Sequence, residues 1–340
     1  MAGIREVAKH AQVSATTVSR FLNGDDTLLI SDETRARILD AVKALHYVKR
    51  APRGRHTVRF GLFITKSERE EFNDPYFRDI RKGVLDELAK HKLKVETMFH
   101  IGDKLDPVKV KGLDALIIVG PLEAQWLKQI HRLNPNLVVV DDFTVPADID
   151  AVFPDFRTAI DQVMTKLHQA GHSRIAFLGG ASMYWQPSGA SVSNHKMDLR
   201  YRAYVDWMRE HQLADYTQAF IGEWDYADGA AQAQRLLAHY KGAKLPSALI
   251  VASDPLAIGV YRVFHEAGVR IPEDMAIVSF DNSEAAAFLT PSLTSVQLHP
   301  IAIGRSAVRM AMERVEQSRD YPQHILMSTD VEYRESFPDR

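Results

Sequence analysis

The stretch Ile4 to Asn23, IREVAKHAQVSATTVSRFLN, places Ile4, Val7, Ala8 and Ala11 at the offsets of one helical face, with Arg5, Glu6, Lys9 and His10 elsewhere. It therefore reads as a short amphipathic helix. Gln12 and Val13 interrupt it, and Ser14 stands where an N-cap accepts a backbone N–H from a second helix beginning at Ala15. That second helix carries the β-branched run Thr16, Thr17, Val18, whose middling helix propensity does not explain its presence. A face offering Thr16, Thr17, Ser19, Arg20 and Asn23 suits a DNA major groove, hydroxyls meeting phosphates or thymine methyls and arginine meeting guanine. The pair is predicted to be a helix-turn-helix, although spacing alone is also met by two ordinary surface helices.

Working outward, Ser31 followed by Asp32 and Glu33 is a helix start with acids in its positively polarised first turn, and Ile38, Ala41, Val42 and Leu45 supply an apolar face. Residues 1–47 are thus expected to form a three-helix head, followed by a basic linker over 48–57 broken by Pro52 and Gly54. The chain carries net charge −2, but its first 56 residues hold ten Lys or Arg against six Asp or Glu, a local +4 at the end that bears the helix pair. That asymmetry is compatible with phosphate binding.

With 340 residues and 46% hydrophobic content, two or three compact units are expected. No run approaches 18 apolar residues and MAGIREVAKH lacks the apolar stretch of a signal peptide, so no membrane partner and a cytoplasmic location are expected. The absence of cysteine removes disulfides, thiolate catalysis and zinc–thiolate sites. From Val58 onward, apolar runs alternate with helical stretches, the pattern of an α/β fold with mostly parallel sheets. VRFGLFIT (58–65), LKVETMF (93–99), DALIIVG (114–120), LVVVDD (137–142), RIAFLGG (174–180), SALIVASD (247–254) and MAIVSFDN (275–282) are the expected strands. Helices are expected over 76–91, 158–170, 199–211, 227–239, 255–267 and 300–316. So many units predict two lobes with a cleft between them.

In such sheets a ligand lies beyond the carboxyl ends of the strands. Residues just after the apolar runs are polar or aromatic here: Asn73, Tyr76 and Phe77 in the first long loop, then Asp142, Ser253, Asp254 and Asp281, with Arg200 and Trp224 nearby in the pattern. Carboxylates that accept paired hydroxyls, an arginine that donates, and aromatic faces for sugar C–H surfaces make a carbohydrate site chemically sensible. Each residue alone also has a plainer reading, Asp254 before Pro255 as a helix cap and Trp224 as core. A doubly wound chain could also be a dehydrogenase or a sugar-modifying enzyme, but the motifs are not evident: there is no G-x-G-x-x-G, G-x-x-x-x-G-K-[ST], H-E-x-x-H or G-x-S-x-G. His168 and His172 stand at i, i+4, but Gly171 between them is expected to end the helix. No catalysis, cofactor or metal is expected, and a free sugar-binding protein is the nearer rival.

The order of residues in IREVAKHAQVSATTVSRFLNG and in SDETRARILDAVKALHY (31–47) resembles the N-terminal module of the lactose/galactose repressor family without a gap. The resemblance implies that Ala15, Thr16 and Arg20 face base edges, while Thr17, Ser19, Asn23, Ser31 and Thr34 hold phosphates. Gln12 departs from the glycine usual in that turn. Family members also carry a longer hinge with a leucine that enters the minor groove. This chain has no leucine between His46 and Arg59, which argues against a kinking hinge helix and leaves Arg50, Arg53 and Arg55 for a narrow minor groove.

For residues 58–340 the resemblance implies a periplasmic-binding-protein-like core, lobe 1 about 58–155 and 283–317, lobe 2 about 156–282 and 318–338, with crossings near Asp155, Asp281 and Gln317. It also implies effector contacts at Arg200, Ser253, Asp281, Asp142 and Trp224 and aromatic contacts from the NDPYF loop, with Leu298 where many relatives have a polar residue. EFNDPYF, IRKGV and IAFLGG are most similar to regulators of β-galactosidase and galactose operons. The implied partners are operator DNA, galactose or a galactoside, and a second copy of the chain, with a tetramer as a further possibility. Another sugar, a sugar phosphate or a nucleoside stays open as the effector.

Overall fold

The computed structural model describes residues 4–22, 28, 30–45, 58–103, 105–186, 191–193 and 198–338. They fall into two compact units, 1–57 and 58–340. Among the described residues no helix is long and apolar enough to cross a membrane.

In the first unit, α1 (Ile4–His10), α2 (Ala15–Leu22) and α3 (Asp32–Ala44) enclose a core of Val7, Ala8, Ala11, Val18, Ile38 and Ala41. Six small or medium side chains are enough because the helices are short, and each lies on the face its periodicity assigns. The turn is made by Gln12 in the left-handed region at φ 56°. A side chain there costs about 1–2 kcal/mol relative to ordinary backbone. Ser14 offsets part of this by capping α2, accepting the Thr17 N–H at 3.0 Å. Ser31 caps α3 in the same way through the Thr34 N–H at 3.2 Å.

The second unit holds two six-stranded sheets. Its elements in chain order are β1 (Phe60–Ile64), α4 (Glu68–Asn73), α5 (Pro75–Lys90), β2 (Val95–His100), α6 (Pro107–Gly112), β3 (Ala115–Val119), α7 (Ala124–Leu133), β4 (Leu137–Val140), β5 (Asp150–Pro154) and α8 (Phe156–Gln169). They continue with β6 (Ile175–Gly180), a hairpin of β7 (Met183–Trp185) and β8 (Ser191–Ser193), α9 (Leu199–Glu210), β9 (Gln218–Gly222), α10 (Tyr226–His239), β10 (Ala248–Val251), α11 (Asp254–Ala267) and β11 (Ala276–Phe280). The last are β12 (Thr294–Gln297), α12 (Pro300–Val315), β13 (His324–Met327) and β14 (Asp330–Glu332). The first sheet has the order β13-β5-β4-β3-β1-β2 and the second β14-β12-β11-β10-β6-β9. Every pairing within them is parallel except β12 with β14. Strands such as FGLFI and ALIIV are buried throughout, because helices cover both faces of a parallel sheet.

The chain passes from the first sheet to the second between β5 and β6, and the later passages lie elsewhere than at Asp281 and Gln317. Because β12 pairs in parallel with β11, the return comes after Gln297 rather than at Asp281. It passes through the fully buried Leu298 and through His299, whose φ is 55°. Then α12 packs on α5, where a Cβ at Gly83 or Gly304 would stand 2.2 Å from a backbone oxygen of the other helix. The last crossing lies between β13 and β14, not at Gln317. It is set by Asp150, whose buried carboxylate accepts from Arg314, Arg319 and the Gln323 N–H and so fastens the end of α12 and the start of β13 to β5. Opposed by its burial, these bonds still hold the Asp150 pKa below its ordinary value.

Candidate functional site

Two places concentrate polar chemistry. On α2, Thr16 and Arg20 are exposed and lie one turn apart. Thr17 and Ser19 are half-buried, and Ser14 and Thr17 share a hydroxyl contact of 2.8 Å at the helix start. Ala15 is half-buried against the head's core, so only part of its methyl is available to a partner. Ser31 is exposed and Thr34 half-buried, with hydroxyls 2.9 Å apart. Asn23, Arg50, Arg53, Arg55 and the side chain of Asn73 lie outside the described residues.

The second place is built from the carboxyl ends of the strands of both sheets, around Arg200. This residue opens α9, and its guanidinium is buried. Nε and Nη2 donate to the two oxygens of Asp198 at 2.7 and 2.8 Å, and Nη1 donates to the Ala252 carbonyl at 2.7 Å. The rings of Phe156, Trp224 and Phe280 surround it at 4.3, 4.8 and 5.8 Å from the guanidinium carbon. Burial disfavours its charge, but Asp198, Asp281 and Asp141 outweigh this and raise its pKa. Trp224 is held by its indole N–H on the Ala181 carbonyl at 2.9 Å, against Gly180, where a Cβ would meet the indole at 2.2 Å. The absence of a side chain at Gly180 is therefore what lets that ring lie there.

The first sheet contributes Tyr76 and Phe77, both buried at the start of α5, a helix whose N-cap is Asp74 and whose first residue is Pro75. The Tyr76 hydroxyl donates to Asp141 at 3.2 Å. Asp141 follows β4 with φ 60°, a turn that directs it differently from its neighbour Asp142. Burial pushes the Asp141 pKa up to about 7, against the opposing effect of Arg200 and the Tyr76 hydroxyl. Asp281, at φ 101° after β11, is raised well above the usual carboxylate range by burial and by Asp254 and Asp74. Asp74 is raised as well, by burial, despite Lys66 and the backbone N–H groups it caps.

Of the residues expected at an effector, Tyr76, Phe77, Arg200, Trp224, Ser253 and Asp281 converge here. Two others, Asp142 and Asp254, are engaged by donors of the fold. Asp142 accepts the N–H and hydroxyl of Thr144, each at 2.8 Å, and the Leu122 N–H at 3.3 Å, closing its own loop. Asp254 accepts the Ser283 N–H at 2.7 Å and the Ser295 hydroxyl at 2.8 Å, tying α11 to β12 and the loop after β11. Asp141, Asp198, Phe156 and Phe280 belong to the cluster without having been singled out. Only the position of Asp141 after an apolar run, shared with Asp142, signalled any of them.

Known proteins place these two sites in one framework. Residues 3–49 match the model of bacterial regulatory proteins of the lacI family, and residues 164–337 match that of a periplasmic binding protein-like domain. The chain is 30% identical to the HTH-type transcriptional repressor MelR of Bacillus subtilis, over 99% of this chain and 97% of that protein. Its fold is shared with the transcriptional regulator CelR–cellobiose complex, at TM-score 0.68 and 23% identity over 99% and 100% of the two chains. It is shared also with the lac repressor dimer bound to operator and the anti-inducer ONPF, at TM-score 0.69 and 21% identity over 99% of each chain. A helix-turn-helix head and a two-sheet binding core in one chain, related over nearly their whole length to such a repressor, make this protein a DNA-binding transcription regulator rather than an enzyme, and it belongs to the lacI family.

Proposed function

We propose that the protein is a cytoplasmic repressor of a sugar-utilisation operon, binding a palindromic operator as a homodimer and released from it by galactose or a galactoside. The observation that carries the reading is the Arg200 cluster: a buried guanidinium among three aromatic rings, with carboxylates from both sheets around it. Aromatic faces stack on sugar C–H surfaces while carboxylates accept hydroxyls, which is the chemistry a sugar needs. The sugar in the CelR complex, and the galactoside-operon regulators that the NDPYF and IAFLGG segments resemble, support a saccharide as the effector. On the DNA side, Thr16 and Arg20 read bases from α2, with Thr17, Ser19, Ser31 and Thr34 on phosphates.

Two heads would contact half-sites about one helical turn apart. A tenfold loss of operator affinity requires the effector to favour the released state by only about 1.4 kcal/mol. Footprinting upstream of a neighbouring sugar operon should show a protected palindrome at physiological salt. Arg20→Ala should abolish the sequence preference and leave salt-dependent nonspecific binding; equal loss of both would make Arg20 a phosphate contact only.

A further inference from the structure

Between β6 and α9 the chain of the second sheet makes a detour that touches the first. The hairpin of β7 and β8 is held by three residue pairs, Met183 with Ser193, Tyr184 with Val192 and Trp185 with Ser191. Its root is fixed to the second sheet: the Ala181 N–H donates to the Gly222 carbonyl at 2.7 Å, and the Ala181 carbonyl accepts the Trp224 indole N–H at 2.9 Å. The far end of β7 is fixed to the first sheet. Trp185 pairs in parallel with Leu122, just after β3, and its carbonyl accepts the Glu123 N–H at 3.0 Å. Trp185 also packs on the core cluster of the first sheet, whose other members all come from residues 63–153. Tyr184 faces the Thr144 side chain in the turn after β4, with Asp142, Asp198 and Arg202 near its hydroxyl.

The three chain passages between the sheets lie elsewhere. They leave from β5, β12 and β13, which sit at one end of the strand order of their sheets. The hairpin rises from β6, three strands from β12, and Trp185 lands beyond β3, two strands from β5. At the usual spacing between strands that contact stands about 10–14 Å from the passages, over the carboxyl ends where the Arg200 cluster lies. One side of the cleft is therefore joined by covalent chain and another by a contact that can open. That contact is not strongly held. An isolated two-stranded hairpin is only marginally stable, so this one depends on its root and its seat. Within the seat, Glu123 Oε2 and Trp126 Nε1 are buried without hydrogen-bond partners, which lowers the net gain from closing over them.

We propose that β7 is a strap across the mouth of the cleft, and that ligand enters and leaves only while Trp185 is lifted from Leu122 and Glu123. Trp185 sets the rate of exchange by its position and makes no contact with the ligand. Its link to the site runs through Ala181, which holds both the root of the strap and the Trp224 ring beside Arg200. The proposal rests on the reading of this cleft as the effector site.

Hydrogen exchange reads the strap in the ligand-free protein, because the Glu123 N–H is covered by the Trp185 carbonyl. That amide should exchange about tenfold or more faster than the amides of β3, and Trp185→Ala should speed it by about tenfold again without changing β3. Trp185→Phe, which keeps a ring on the seat, should stay within about threefold of the parent. A Glu123 amide as slow as β3 in the parent, or one unmoved in Trp185→Ala, overturns the proposal. Rapid mixing with galactose or lactose, read by tryptophan emission because Trp224 stands beside Arg200, then tests the gate. Association and dissociation should both accelerate by about fivefold or more in Trp185→Ala, and by equal factors, so that affinity is preserved. Faster dissociation alone would make Trp185 a wall of the site, and unchanged rates would leave no gate; either result overturns the proposal. If neither sugar binds, the galactoside reading fails, and the exchange experiment still decides whether the strap opens.

Discussion

Replacing Arg200 by alanine should be among the most destabilising single changes in the core. The guanidinium makes three hydrogen bonds of 2.7–2.8 Å and faces three rings. Its removal leaves the Asp198 side chain, 13% exposed, without its counter-ion and the Ala252 carbonyl without its donor. Breaking one side of a buried pair costs about 3–5 kcal/mol, because the abandoned charge stays desolvated. The lost cation–π contacts fall within that figure rather than adding to it, since one group makes both. At about 2–4 °C per kcal/mol for a unit of this size, the melting temperature should fall by about 6–20 °C.

Urea unfolding of Arg200→Ala, Asp198→Asn and the double variant reads the argument directly. If desolvated charge dominates, the double variant is more stable than Arg200→Ala alone by at least ~1 kcal/mol. A loss below about 1 kcal/mol in Arg200→Ala, or strictly additive effects, would refute the reasoning.

Three further outcomes follow from particular residues. Asp141 has its pKa raised from 3.8 to about 7, so the folded chain holds a proton that the unfolded chain has lost, and stability falls as pH rises through that interval and levels off above it. Asp141→Asn should therefore match the parent near pH 4 and exceed it at pH 8, by at most about 4 kcal/mol, as measured by denaturant midpoints across pH. Gln12→Gly should stabilise the head by ~0.5–1 kcal/mol, since glycine adopts φ 56° without the Cβ clash; a lower melting temperature for the head would contradict this. Asp142→Ala should cost about 1–3 kcal/mol in stability through the orphaned Thr144 and Leu122 donors while leaving ligand affinity unchanged by calorimetry.

Much of this architecture is legible in the chain because parallel strands buried on both faces leave continuous apolar runs, and the helices between them keep their 3.6 period. The seven runs read as strands are all strands, and the six long helices lie within two residues of their expected limits. What escapes is what local pattern does not encode. DAVFP begins with a charged residue and ends in proline, yet it forms β5, because the buried Asp150 is matched by Arg314 and Arg319 from far along the chain. HILM at β13 alternates exposed and half-buried residues and has only one neighbour in its sheet, so its pattern is weak. The crossing points depend on which sheet β12 joins, a long-range pairing. At the site, two consecutive aspartates after β4 look equivalent on paper. The left-handed backbone at Asp141 separates them, one near Arg200 and Tyr76, the other folded into its own turn. In the head, periodicity identified the core face, but it could not show that Ala15 is partly taken up by that core.

The central claim is that occupation of the Arg200 cluster decides whether the Thr16–Arg20 face holds its operator. Fluorescence anisotropy of the footprinted operator, titrated with protein at fixed salt with and without the sugar that binds the cleft, tests it most directly. The sugar should lower operator affinity at least tenfold in the parent, and Asp281→Ala should keep undiminished operator binding with no response to the sugar. A sugar that binds the core without changing operator affinity, or an Asp281→Ala variant that responds like the parent, would contradict it.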